Sequence, residues 1–111
     1  MYPARILLVD NYRDALVTWA FFLRTRGYEV ITASDGIAAT QIAMDMQPDL
    51  IVMDIQLPHV SGLELIETCK ADAELNAIPI MAVTAYAGKE DEERVRAAGA
   101  EAYVSKPISL M

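Results

Sequence analysis

One cysteine, Cys69, and one histidine, His59, stand in the whole chain. A lone cysteine excludes an internal disulfide and points to a reducing, intracellular setting. A lone histidine with no partner at ligand spacing weighs against a zinc or catalytic role for His59. Basic residues are also scarce: 9 Lys and Arg stand against 16 Asp and Glu, for a formal net charge of −7. That balance argues against a surface built to neutralise phosphates, so no direct contact with nucleic acid is expected. No apolar run approaches the roughly 18–20 residues that cross a bilayer, and no basic segment leads into an apolar one at the start. Repeats, low-complexity stretches and interdomain linkers are absent too. A cytoplasmic domain that does not engage the membrane is expected, and 111 residues with 54% hydrophobic content suit one domain with a real core.

What is present is a set of short apolar runs ending in polar groups. The central one is Leu50 to Pro58, LIVMDIQLP. Its first four residues are too few for a useful helix and fit a strand buried on both faces. The run ends on Asp54, and Pro58 stops regular structure soon after. Arg5 to Asp10, RILLVD, repeats the design and also ends on a carboxylate. Ile78 to Thr84, IPIMAVT, ends on a hydroxyl. Tyr28 to Ala33 and Ala100 to Val104 are two further strands.

Helical patterns alternate with these runs. From about Tyr12 to Arg26, Tyr12, Leu16, Trp19, Ala20 and Leu23 recur at helical spacing. Asn11 is the expected cap and Gly27 the stop. Trp19 reads as core. Ser34, Asp35 and Gly36 open a second helix to about Met46, with Ala39, Ile42, Ala43 and Met46 as its stripe. A third helix, about Gly62 to Ala71, buries Leu65, Ile66 and Cys69; Cys69 reads as a small buried hydrophobe. Asp72 to Ala77 is expected as a polar loop. The mixed charges of Lys89 to Arg96 fit a solvated face of a fourth helix, which Gly99 ends.

Alternating β and α elements with short connections predict a doubly wound parallel sheet. In strand order 2-1-3-4-5 the first and third strands are neighbours at the switch point. Asp10 and Asp54 then lie side by side, Thr84 reaches the same edge, and Lys106 follows the fifth strand. Two close carboxylates attract a hard divalent cation, best Mg²⁺. The cation and Lys106 can offset the charge of a phosphoryl group, and Thr84 can donate a hydrogen bond to it. Asp54 is then the nucleophile of an aspartyl phosphate.

The segments RILLVDN, RTRGYEVITASDG, PDLIVMDIQLPHVSG, IPIMAVTA and AGAEAYVSKP resemble, in order and spacing, the response-regulator receiver domain of two-component signal transduction. The resemblance covers nearly the whole chain, read as one receiver domain over residues 1–111 with the flavodoxin-like α/β fold. It implies that Asp54 is the phospho-acceptor, Thr84 the switch hydroxyl, and Lys106 the site lysine, joined to Pro107 by a cis bond. Tyr103 matches the aromatic that turns inward when Thr84 moves toward the phosphoryl group. Asp10, Asn11, Asp54 and the backbone carbonyl of Gln56 match the Mg²⁺ ligands, and the side chains of Gln56 and Tyr86 the positions that tune phosphate lifetime. A sensor histidine kinase or phosphotransfer protein is the implied donor, and an output domain or protein the implied target.

Two departures stand out. Asn11 occupies the place of the second N-terminal acid, which predicts weaker metal binding. The chain also stops at Met111, so the fifth helix of the family is expected to be missing or truncated. Its loss is expected to bare apolar surface near Trp19, to suggest a truncated parent protein, and to favour a homodimer. A second reading, favoured by Asn11, is a degenerate receiver that docks or dimerises without phosphorylation. Enzyme readings fit less well. A flavin site wants a hydroxyl- and Gly-rich loop where Asn11-Tyr12-Arg13-Asp14 stands. A phosphatase of the aspartyl-phosphate type wants an acid at Gln56. The domain is therefore expected not to be an enzyme.

Overall fold

Five parallel strands lie in the order β2-β1-β3-β4-β5, as expected from the sequence. The computed structural model describes residues 3–55, 61–84 and 89–105, and of residues 89, 90 and 105 the backbone only. In chain order the elements are β1 (Arg5–Val9), α1 (Arg13–Thr25), β2 (Glu29–Ala33), α2 (Gly36–Met46), β3 (Leu50–Asp54), α3 (Gly62–Ala71), β4 (Ile80–Thr84), α4 (Lys89–Ala98) and β5 (Ala102–Ser105). The fifth helix, expected to be missing or cut short, falls on residues outside those described.

Strand side chains alternate between two faces. Leu7, Val9, Ile51, Met53, Ile80 and Ala82 point to one face and pack with Ala39 and Ala43 of α2, Leu65, Ile66 and Cys69 of α3, and Val95 of α4. Leu8, Val30 and Val52 point to the other and meet Leu16, Trp19, Ala20 and Leu23 of α1. Strands covered on both faces need apolar residues at every position, which is why the runs are continuous rather than alternating.

The helix ends differ from expectation at one place that bears on function. Tyr12 is the N-cap of α1 and makes no side-chain cap, so Asn11 does not cap the helix. Tyr12 is 63% exposed and leaves the buried stripe, because it precedes the first helical turn. Asp35 and Ser61 do cap α2 and α3, accepting the amide hydrogens of Ala38 and Glu64 at 2.8 and 3.2 Å. Gly27 ends α1 with φ +93°, a conformation that suits glycine. Gly62 is required for another reason: a Cβ there meets the Cα of Ile55 at 2.5 Å. That close approach lets the Gly62 N–H donate to the Ile55 carbonyl at 2.9 Å, seating α3 directly against the end of β3.

β4 begins two residues later than the sequence suggests, and the segment before it is not simply polar. Leu75 and Ile78 are buried at 1% and 7% exposure within the turns that join α3 to β4. The same region carries a polar hub. The Lys70 Nζ donates to the Asn76 and Ile78 carbonyls at 3.3 and 3.0 Å and pairs closely with the Glu101 carboxylate. Glu101 in turn accepts the Ile80 N–H at 2.6 Å. Burial pushes the Glu101 carboxyl upward, but the Ile80 N–H and the Lys70 ammonium outweigh it and hold the group below its ordinary range. β5 begins at Ala102 rather than Ala100, one residue after Glu101, whose side chain is engaged in this hub.

Candidate functional site

The sheet brings the expected carboxylates together at its C-terminal edge. The register pairs Val9 with Met53, so the next residues, Asp10 and Asp54, leave neighbouring strands at one level. Asp10 is 6% and Asp54 5% exposed. Both line one small cavity of about 20 Å³, with Leu8, Val9, Trp19, Val52 and Val83 as its apolar walls. That volume is enough for about one water molecule. Asp54 pairs in register with Val83, and Thr84, 2% exposed, is the next residue on β4. Among the described residues no buried side-chain nitrogen or oxygen lacks a partner.

The local chain explains why these groups stay put. The Asp10 N–H donates to the Ala33 carbonyl at 3.1 Å, which carries the β1–β2 ladder one residue past β1. The Ile55 N–H does the same beyond β3, donating to the Val83 carbonyl at 3.1 Å. Asp10 Oδ1 accepts the Tyr12 N–H at 2.9 Å, tying the acid to the start of α1. Asn11 lies between them and is exposed, on the rim of a groove between α1 and the end of β2.

Tyr103 lies on β5, paired in register with Ala82, and packs partly buried against the larger core. Burial first, then repulsion from Asp91 and Glu92 of α4, raises its phenol above the usual value. Cys69 is 2% exposed within that core, and burial likewise raises its thiol. Lys106, Gln56, Tyr86, His59 and the Lys106–Pro107 bond lie outside the described residues.

Among the described residues, the carboxylates that share this cavity are Asp10 and Asp54, and the residue next to Asp10 in the chain is the neutral, exposed Asn11. Among the described residues, three His, Cys, Asp or Glu side chains nowhere cluster to hold a metal. Two carboxylates fit Mg²⁺, which commonly takes one or two and keeps several waters. They do not fit zinc, which prefers nitrogen and sulfur. Sequence reasoning missed the place of Trp19 beside the two acids. The helical spacing marks it as apolar, but only the sheet register reveals what it faces.

This is the switch-point architecture of a signalling receiver, and the chain belongs to that family: the model of the response regulator receiver domain matches residues 6–111. Among curated relatives it is 46% identical over 108 residues to the polar-differentiation response regulator DivK of Brucella anthropi, spanning 97% of this chain and 88% of that one. The DivK of Brucella ovis is 47% identical over 105 residues, spanning 95% and 85%. Among solved structures, the chemotaxis protein CheY4 of Vibrio cholerae superposes with a TM-score of 0.92 at 28% identity, covering 97% of this chain and 90% of that one. The receiver domain of the sensor histidine kinase PA1611 of Pseudomonas aeruginosa superposes with a TM-score of 0.89 at 32% identity, covering 97% and 88%; its magnesium ion is coordinated in the active-site cleft. Among the described residues no helix is long and apolar enough to cross a membrane.

Proposed function

We propose that this receiver domain is switched by phosphorylation of Asp54. The observation that carries the reading is the convergence of Asp10 and Asp54, both buried, on one cavity at adjacent strand ends. An Asp54 oxygen attacks the phosphorus of a phosphohistidine; the O–P bond forms, the P–N bond breaks, and the histidine nitrogen takes up a proton. Mg²⁺ held by Asp10, Asn11, Asp54 and the Gln56 carbonyl, when bound, supplies positive charge against the phosphoryl oxygens. Lys106 adds a second positive charge, and Gln56 and Tyr86 tune the lifetime of the product. Thr84 donates its hydroxyl to the phosphoryl group, and Tyr103 follows it inward, shifting the population of the α4–β5 face toward its partner-binding form.

The donor is a sensor histidine kinase or phosphotransfer protein, and the reader is a downstream output domain or protein. The module acts in the cytoplasm and turns over no separate metabolite. A homodimer is supported by Val17 and Phe21 on α1, 62% and 69% exposed, and light scattering at rising concentration tests it. Incubation with Mg²⁺ and a small acyl phosphate, followed by intact-mass measurement, tests the main reading. A phosphoryl adduct is expected, and Asp54→Asn is expected to abolish it. A folded protein that takes no adduct across a wide Mg²⁺ range supports the second reading, a phosphorylation-independent docking module. Asn11, neutral at the metal edge, is the observation that favours it.

A further inference from the structure

The cavity beside Asp10 and Asp54 is bounded by one residue from outside the sheet. Trp19 reaches it from α1, across the smaller of the two cores. Its ring is held edge-on to Phe22, with centroids 6.3 Å apart and planes at 82°. The Arg26 guanidinium lies over the other end of this column, 5.0 Å from the Phe22 ring centre. Residues 19, 22 and 26 share one face of a helix, so the column runs from the acids along α1. An edge-to-face pair and a cation over a ring both favour a fixed ring orientation.

We infer that Trp19 is a positioning residue of the acid site: its indole closes the apolar side of the cavity and sets how tightly the Asp10–Asp54 pair holds a divalent cation. The inference rests on the phospho-acceptor reading and names a residue that regulates the same site. A wall that leaves room for about one water keeps the medium around the carboxylates poor in solvent, where a cation's attraction to them is strong. A smaller side chain at position 19 opens the cavity, admits water and gives the carboxylates room to turn away from the cation. The apolar shell around a metal site controls solvent access in this way without touching the metal. Because the indole forms a wall of the cavity that the acids line, filling the site is expected to change the surroundings of the ring.

Trp19 is the single tryptophan of the chain, so its emission reads this place alone. Mg²⁺ is titrated into the full chain by calorimetry and by fluorescence in parallel. A Trp19→Phe variant is titrated by calorimetry, with its thermal unfolding recorded. The expected result is an emission change that follows the calorimetric isotherm, and a Kd raised about fivefold or more in Trp19→Phe, the low end of ordinary coupling between sites. Flat emission while calorimetry shows Mg²⁺ filling the site overturns the inference. So does a variant that melts lower yet binds with the original Kd, since Trp19 is then structural only. Absence of any calorimetric binding to the unaltered chain overturns the cation reading itself, and the inference with it. The fluorescence arm needs no variant, so a misfolded Trp19→Phe leaves the decision intact.

Discussion

Asp10 accepts the amide hydrogen of Tyr12 at 2.9 Å, so one carboxylate serves both the acid site and the start of α1. The two duties separate by substitution. Asp10→Asn keeps an acceptor oxygen and loses the charge; its folding stability without Mg²⁺ is expected to hold or rise, because repulsion between two buried carboxylates is relieved, with Mg²⁺ binding weakened. Asp10→Ala loses both, and is expected to fall about 1 kcal/mol below Asp10→Asn, the usual value of a helix-start acceptor. Urea unfolding beside calorimetry checks the split. Equal stabilities of the two variants would show that the hydrogen bond is idle.

Asn11→Asp adds a negative charge on the exposed residue that follows Asp10 in the chain. A charge a few ångströms from a divalent cation near the surface is worth about one to a few kcal/mol, so Mg²⁺ affinity is expected to rise roughly tenfold. The same acid crowds two others, which raises the repulsion in the cation-free protein. A small loss of thermal stability without Mg²⁺, reversed by adding it, is expected in scanning calorimetry. An unchanged Mg²⁺ Kd would refute the weak-metal reading of Asn11.

Gly62→Ala places a methyl group 2.5 Å from the Ile55 Cα, against backbone that cannot swing aside. The loss expected from such overpacking is about 1–3 kcal/mol. Because Ile55 directly follows Asp54, strain there displaces the acid as well as α3. Denaturant unfolding gives the first quantity, and the rate of adduct formation by intact mass gives the second; both are expected to fall together.

Glu101 gives the protein an acid-sensitive staple between β4 and β5. Its carboxyl is held below the ordinary 4.5 by the Ile80 N–H and Lys70, against the upward pull of burial. A depressed carboxyl stabilises the fold above its unfolded pKa, and the contribution fades as pH falls through the lower folded value. Glu101→Gln is therefore expected to lower Tm at neutral pH and to narrow the gap to the original protein below about pH 4. The side chain is 48% exposed, so water screens much of the ion pair and the effect is modest. Lys70→Met is expected to cost more, about 1–3 kcal/mol, because it also deprives the Asn76 and Ile78 carbonyls of a donor.

The sheet was legible because burial on both faces leaves an unmistakable mark: RILLV, LIVM and IMAV have no polar interruption, and each is soon closed by Asp10, Asp54 or Thr84. Those closures also made the pairing of the two carboxylates foreseeable once the strand order was set. Three features were not legible, each for a reason of tertiary origin. Tyr12 has helical spacing to Leu16 but precedes the first turn, and spacing alone does not say where a helix begins. Leu75 sits among Asp, Glu and Asn, so composition hides a side chain that the fold buries almost completely. Trp19 shares its periodicity with Leu16 and Leu23, and no local rule distinguishes the one that reaches the acids.

Among the described residues the two faces of the sheet are unequally anchored. α2, α3 and α4 share an extensive core with the strands, while among the described helices α1 alone meets the opposite face, through a smaller cluster. Local opening starts where buried contacts are few, so amide exchange in α1 should outpace that in β1, β3 and β4. The acid pair lies at the seam between these layers, held by the sheet, bonded to the start of α1 through the Tyr12 N–H, and sharing a cavity with Trp19. A ligand in that seam is therefore expected to slow exchange mainly in α1, which would make the chemical state of one carboxylate readable as the breathing of a whole helix.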